Sequence, residues 1–125
     1  MRYLGIDFGT KKVGIALSDE GGQMAFPREV IQNDGDLLKK VESLIQSEGV
    51  EEIVIGHSLK GDGSENEVQA AIDEFITDLT LATGLPVHLE PEQYSTQEAL
   101  RIQGRTEKTD ASAAAIILNS YLSKI

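Results

Sequence analysis

Apolar positions along the first third of the chain come in short alternating or continuous runs. Residues 2–8 form one such stretch and Val13-Gly14-Ile15-Ala16-Leu17-Ser18 a second, with Gly9-Thr10-Lys11-Lys12 between them as a turn. This pattern predicts a hairpin. Asp19-Glu20-Gly21-Gly22 is another turn signal, and residues 24–32 supply a third strand, which Pro27 confines to a sheet edge or an irregular path. From residue 36 the period changes. Leu37, Leu38, Val41, Leu44 and Ile45 recur at helical spacing, with Asp34 or Asp36 as N-cap and Gly49 just past the end.

Ile53-Val54-Ile55-Gly56 reads as a strand buried on both faces, and Leu59-Lys60-Gly61-Asp62-Gly63-Ser64 as the loop after it. Val68, Ile72, Phe75, Ile76 and Leu79 mark a second amphipathic helix that ends before Gly84 and Pro86. Val87-His88-Leu89-Glu90 is a fifth strand. Ser95-Thr96-Gln97-Glu98 has the form of a capping box opening a helix that stops near Gly104. The last helix starts near Asp110, with Ala114, Ile117, Leu118, Tyr121 and Leu122 on one face. The predicted order is β-β-β-α-β-α-β-α-α: an α/β fold with a mixed five-stranded sheet, three antiparallel strands then alternating helices and strands, and helices on both faces. Ribonuclease H-like domains use this topology. With no repeat, linker or low-complexity tract, residues 1–125 read as one domain.

Composition narrows the chemistry. Hydrophobic residues are 40% and charged residues 26%, the balance of a globular chain. Cysteine is absent, which excludes a thiolate nucleophile or a cysteine zinc site, and two histidines are too few for a conventional His-rich metal site. The apolar run at the start is broken by Asp7, far short of a signal-peptide core or membrane span, so the expected location is the cytoplasm, with no membrane partner. Twenty-one acidic against 11 basic residues give a formal charge of −10, which argues against broad adhesion to nucleic acid.

Two of the acids stand where burial must be compensated. Asp7 sits in Leu4-Gly5-Ile6-Asp7-Phe8, a strand the pattern puts at the centre of the sheet, and an unpaired buried carboxylate costs several kcal/mol. It needs a cation, a metal or strong donors, the last of which the Gly9-Thr10-Lys11 turn could provide. Asp110 lies seven residues before Ile117, a step that returns to within about 20° of the same direction, so it is on the core-facing stripe of the last helix. A helix-start acid favoured by the macrodipole is one reading, but Thr109 can already serve as the cap and the facing direction points Asp110 at the sheet, which favours metal ligation. Glu90 and Glu92 follow the fifth strand on the face opposite Val87 and Leu89; each alone reads as a solvated loop acid, and one of them could join the other two. Carboxylates from two strands and a late helix favour Mg2+ or Mn2+. Two such ions, about 4 Å apart, suit phosphodiester hydrolysis, because they activate water, stabilise the leaving oxygen and offset the carboxylates' repulsion of a phosphate.

Gly5-Ile6-Asp7-Phe8-Gly9-Thr10-Lys11-Lys12-Val13-Gly14-Ile15-Ala16 resembles the opening of the YqgF/RuvX family, whose members are named as pre-16S rRNA nucleases and, earlier, as Holliday junction resolvases. Ile53-Val54-Ile55-Gly56 with Asp62-Gly63-Ser64, Ser95-Thr96 with Ala99, and Lys108-Thr109-Asp110-Ala111-Ser112-Ala113-Ala114 with Ile116-Ile117-Leu118 are similar to its later motifs. The resemblance implies an RNase H-like, YqgF-type domain and metal-dependent cleavage of structured RNA or branched DNA. It puts Asp7, Glu92 and Asp110 at the positions of the family's acidic triad, with Glu90 as reserve ligand.

The chain departs from the family in two places. Gly56-His57-Ser58 stands where Gly-Leu-Pro is usual, and Pro91-Glu92-Gln93 where Asp-Glu-Arg is usual. Losing that arginine removes a bidentate phosphate donor. Candidate phosphate contacts are Lys11, Lys12, Arg101, Arg105 and Lys108, joined as substrate-binding candidates by Thr10, His57, Ser95 and Thr96. Aromatic residues are only 5%, so shape and backbone contacts are expected over base stacking.

Three other readings compete. A decayed nuclease serving as a nucleic-acid or protein-binding module is one, and a Holliday junction resolvase another. An ATPase is the third, since Asp7-Phe8-Gly9-Thr10-Lys11 also resembles a phosphate motif of the actin-like ATPases; but 125 residues lack the second lobe. The acidity as a whole predicts weak, metal-dependent and salt-sensitive substrate binding, and the sequence leaves the oligomeric state open.

Overall fold

The structure is a computed structural model that describes the backbone of residues 1–9, 11–57, 67–91 and 108–124, and the side chains of 1–9, 11–56, 70–90 and 113–124. Strands β1 (Arg2–Phe8), β2 (Lys12–Ser18) and β3 (Ala25–Gln32) come first. Helix α1 (Leu37–Glu48), strand β4 (Val50–His57), helix α2 (Glu67–Thr83), strand β5 (Val87–Pro91) and helix α3 (Lys108–Leu122) follow. The sheet runs β3-β2-β1-β4-β5. β2 is antiparallel to both β1 and β3, while β1–β4 and β4–β5 are parallel. The mixed order expected from the pattern is therefore present, with β1 at its centre.

Local signals explain most element boundaries. Gly49 ends α1 in the left-handed conformation (φ 66°), its N–H donating to the Ile45 carbonyl, a geometry that costs glycine little. The helix starts at one of the two expected caps. Asp36 is the N-cap but its side chain makes no capping bond; instead Asp34 Oδ1 accepts from the Asp36 N–H at 2.9 Å, turning the chain just before the helix. β4 also begins earlier than its apolar run, because Val50 pairs with Arg2 and Glu52 with Tyr3, drawing both glutamates into the strand. The predicted helix of residues 95–104 and the loop of residues 59–64 lie outside the described residues.

Alternation along β1 divides the core. Leu4, Ile6 and Phe8 point into a cluster with Val13, Ile15, Ile53 and Ile55 of the sheet, Val41 and Leu44 of α1, and Ile72, Phe75 and Leu79 of α2. Tyr3 belongs to the opposite cluster, with Ala16, Val54 and the Ala114, Ala115, Ile117, Leu118 and Leu122 side chains of α3. Gly5 shares that face. A Cβ added there would lie 2.9 Å from Leu118 Cβ and 3.0 Å from the Ala114 carbonyl oxygen, so the missing side chain is what lets α3 sit down on β1. α3 touches all five strands, and at the far edge Asn119 Oδ1 accepts from the Ala25 N–H of β3 at 2.8 Å.

Candidate nucleic-acid interface

The parallel strands set the location. β1, β4 and β5 end on the same edge of the sheet, with Ile6 beside Ile55, Gly56 beside Glu90 and His57 beside Pro91. In open α/β sheets ligands collect outside such carboxyl ends. Asp7 is one residue from the end of β1, half-buried, on the Tyr3 and Gly5 face that α3 covers. His57 is the last-but-none residue of β4, at the same edge, and its side chain is outside the described set.

α3 runs against β1. Tyr3 meets Tyr121, with ring centroids 6.0 Å apart, and Gly5 meets Leu118 and Ala114, so advancing along β1 means going back along the helix. From Gly5 to Asp7 the strand rises about 7 Å. The four residues from Ala114 back to Asp110 cover about 6 Å of helix. These matching steps bring the first turn of α3, which carries Asp110 and Lys108, over the carboxyl end of β1. Asp7 and the Asp110 backbone, distant in sequence, thus share one end of one face. The Asp110 and Lys108 side chains, together with Thr10, Glu92, Ser95, Thr96, Arg101 and Arg105, lie outside the described residues. Among the described residues, no three carboxylate or imidazole groups gather closely enough to hold a metal ion.

Glu90 corrects an expectation. It is not a solvated loop acid: it lies inside β5, 4% exposed, and its Oε1 accepts from Ser120 Oγ at 3.0 Å, in the last turn of α3, and from the ammonium of Lys124 just past that helix. Its neighbour on the same face, His88, stacks on Tyr121 with centroids 5.0 Å apart and places Nε2 2.9 Å from Glu52 Oε1. Burial, with the Glu52 carboxylate as hydrogen-bond partner, raises the Tyr3 phenol above its ordinary 10.0, and burial beside Glu52 and Glu90 raises Tyr121 likewise. This polar layer holds α3 to the sheet at the end opposite Asp110. Ser120 and Glu52 carry no local signal in the sequence, and Tyr121 reads there only as a member of the apolar helix face, since their partners are remote.

The hairpin turn after Asp7 is also held from a distance. Asn33, just past β3, donates its backbone N–H to the Lys11 carbonyl at 2.9 Å and its Nδ2 to the Gly9 carbonyl at 2.7 Å. Lys11 is exposed and Lys12 half-buried. Surface depressions lined by Glu29, Lys39 and Lys40, and by Arg2, Glu20 and Arg28, do not include Asp7. No described helix is long and apolar enough to cross a membrane.

Known proteins share both the sequence and this architecture. A protein of Nitratidesulfovibrio vulgaris named "Putative pre-16S rRNA nuclease" is 37% identical over 132 residues, covering 98% of this chain and 93% of its own. One of the same name from Lachnospira eligens is 37% identical over 135 residues, covering 98% and 96%. Among solved structures, Thermus thermophilus RuvC in complex with a Holliday junction superposes with a TM-score of 0.68 at 17% identity, over 99% of this chain and 95% of that one. The fowlpox virus Holliday junction resolvase gives 0.61 at 14% identity, with all of both chains covered. The fold is thus that of the RNase H-like resolvases. A profile of the RuvX family, described as Holliday junction resolvase, matches residues 1–124, and the chain belongs to that family.

Proposed function

We propose that residues 1–125 form one RNase H-like nuclease unit that hydrolyses phosphodiester bonds in structured nucleic acid with Mg2+ or Mn2+. The observation that carries this reading is the antiparallel run of α3 over β1, which sets the turn bearing Asp110 above the strand end bearing Asp7. The donor set fits a hard divalent cation: carboxylate oxygens, no cysteine in the chain, and an acid that enters on the covered face of the central strand. Glu90 is engaged by Ser120 and Lys124, which favours Glu92 as the ligand contributed from the end of β5. Asp7, Glu92 and Asp110 would hold the metal.

When bound, the metal polarises the scissile phosphate and lowers the pKa of the attacking water. The chain's own residues do the rest. The carboxylates fix the reacting edge, and Lys11 and Lys12 in the adjoining turn counter phosphate charge beside an otherwise acidic surface. Gln93, in place of the family's arginine, leaves one charged anchor fewer, which weakens binding and flattens its salt dependence. The relatives' name makes the 5′ end of pre-16S rRNA, in the cytoplasm, the first substrate to test. The family description makes a four-way DNA junction the second.

The test is manganese-dependent cleavage of both substrates by the wild type, Asp7→Asn and Asp110→Asn, with Mn2+ binding followed by calorimetry. We expect each substitution to lower cleavage at least about a hundredfold, equal to some 2.7 kcal/mol of barrier, and to weaken Mn2+ binding. Cleavage indifferent to both substitutions would refute the site. Inactivity of wild type and variants alike, with nucleic acid still bound, would make the chain a binding module of the same fold.

A further inference from the structure

We infer that Asn33 is a positioning residue that holds the turn after Asp7 so that Lys11 meets a backbone phosphate of the substrate. The inference rests on the nucleic-acid reading above and adds to it a residue outside every motif identified in the sequence. β2 and β3 pair from Ser18–Ala25 up to Lys12–Gln32, so Asn33 stands where the ladder would next continue. It continues the ladder with its backbone, through the Lys11 carbonyl, and then reaches across the turn with its side chain to the Gly9 carbonyl. One residue from the edge strand thus occupies both of these carbonyl oxygens.

Two physical consequences follow. Carbonyl oxygens facing a phosphate repel it, and bonding them to Asn33 turns them toward β3 and reduces that repulsion. Gly9 and Lys11 are also both tied to one residue of the neighbouring strand end. A Cβ added at Gly9 would lie 2.5 Å from the Lys12 carbonyl oxygen, so the backbone is already folded tightly on itself between the two strands. Asn33 is itself anchored, because the chain bends immediately after it, with the Asp34 N–H on the Gln32 carbonyl and the Leu37 N–H on the Asp34 carbonyl, directly into α1. A lysine carried by a fixed turn loses less freedom on meeting a phosphate than one on a mobile loop. The partner recognised this way is the phosphodiester backbone, without regard to base.

The experiment measures binding of a fluorescein-labelled four-way DNA junction and of a hairpin RNA from the pre-16S 5′ end by anisotropy across a salt series. It compares wild type, Asn33→Ala, Lys11→Ala, the double variant, and Gly9→Ala, which disturbs the same turn by another route. Asn33→Ala should weaken binding about 3- to 10-fold and flatten the salt dependence by about one phosphate contact. KM for cleavage should rise with kcat and Mn2+ affinity held. Gly9→Ala should do the same, and the double variant should bind no more weakly than Lys11→Ala alone. Additive losses, or wild-type affinity in Asn33→Ala, would overturn the inference while leaving the nuclease reading intact. Failure of the wild type to bind either nucleic acid would overturn both.

Discussion

The two faces of the sheet are built on different principles. Under α1 and α2 the sheet presents Leu4, Ile6, Val13, Ile15, Ile53 and Ile55, all fully buried, against further aliphatic side chains and the Phe8–Phe75 ring pair at 5.4 Å. Under α3 it presents Gly5, Ala16, Val54, Tyr3, Glu52, His88 and Glu90, met by two successive alanines, Ala114 and Ala115, by Ile117, Leu118 and Leu122, and by a tyrosine. The first face gains its stability by removing apolar area from water. The second brings helix and sheet close through small residues and spends the remaining space on polar groups, each with a partner. Asp7 belongs to the second face while its neighbour Ile6 belongs to the first, so a single step along β1 crosses from one regime to the other.

Substitutions can test that division. Ile6→Ala should cost about 2–5 kcal/mol in urea unfolding, insensitive to salt, with Mn2+ binding retained by the folded fraction. A loss of metal binding equal to that of Asp7→Asn would show that the faces are not independent. On the other face, Gly5→Ala should cost about 1–3 kcal/mol, because the new methyl meets the Ala114 carbonyl and Leu118 Cβ. It should also weaken Mn2+ binding, since the helix that carries Asp110 must lift.

Glu90→Gln keeps an acceptor for Ser120 and loses the charge opposite Lys124, whose side chain is 58% exposed. The expected cost is about 1 kcal/mol in thermal unfolding, shrinking as salt is added, which is the opposite of the Ile6→Ala behaviour. The smallest effect concerns alkaline pH. The Tyr3 phenol is held above 10.0 in the folded chain, so its contribution is complete below that value and is lost as pH rises toward the folded pKa. Comparing urea midpoints from about pH 8 to about pH 11, Tyr3→Phe should fall less steeply than wild type. An unchanged slope would remove Tyr3 from the polar layer.

Much of this was legible in the sequence because it is local. Alternation gave β1 and β2, the 3.6 period gave α1 and α2, and Gly49 and Gly84 marked the helix ends. Asp7 stood out because a charge inside a central strand contradicts its surroundings. What stayed hidden depends on separation. Asn33 lies 24 residues from Gly9 and reads as an ordinary loop amide, and Glu90 lies 30 residues from Ser120, so neither partnership has a local signature. Glu90 was misjudged for that reason: the environment that buries it is supplied by a helix made later. Gly5 has no local signature either, because what requires a glycine there is Leu118 of the last helix.

The way α3 crosses every strand also bears on the order in which the protein comes into being. A chain is synthesised from its amino end, and elements can begin to assemble as they emerge. β1 to β5 with α1 and α2 can bury the larger aliphatic cluster before α3 exists. The second face, including the strand end that carries Asp7, stays open to water until residues 108–122 arrive. An interrupted chain therefore carries half of a core, with the strand end that bears Asp7 not yet covered by its helix.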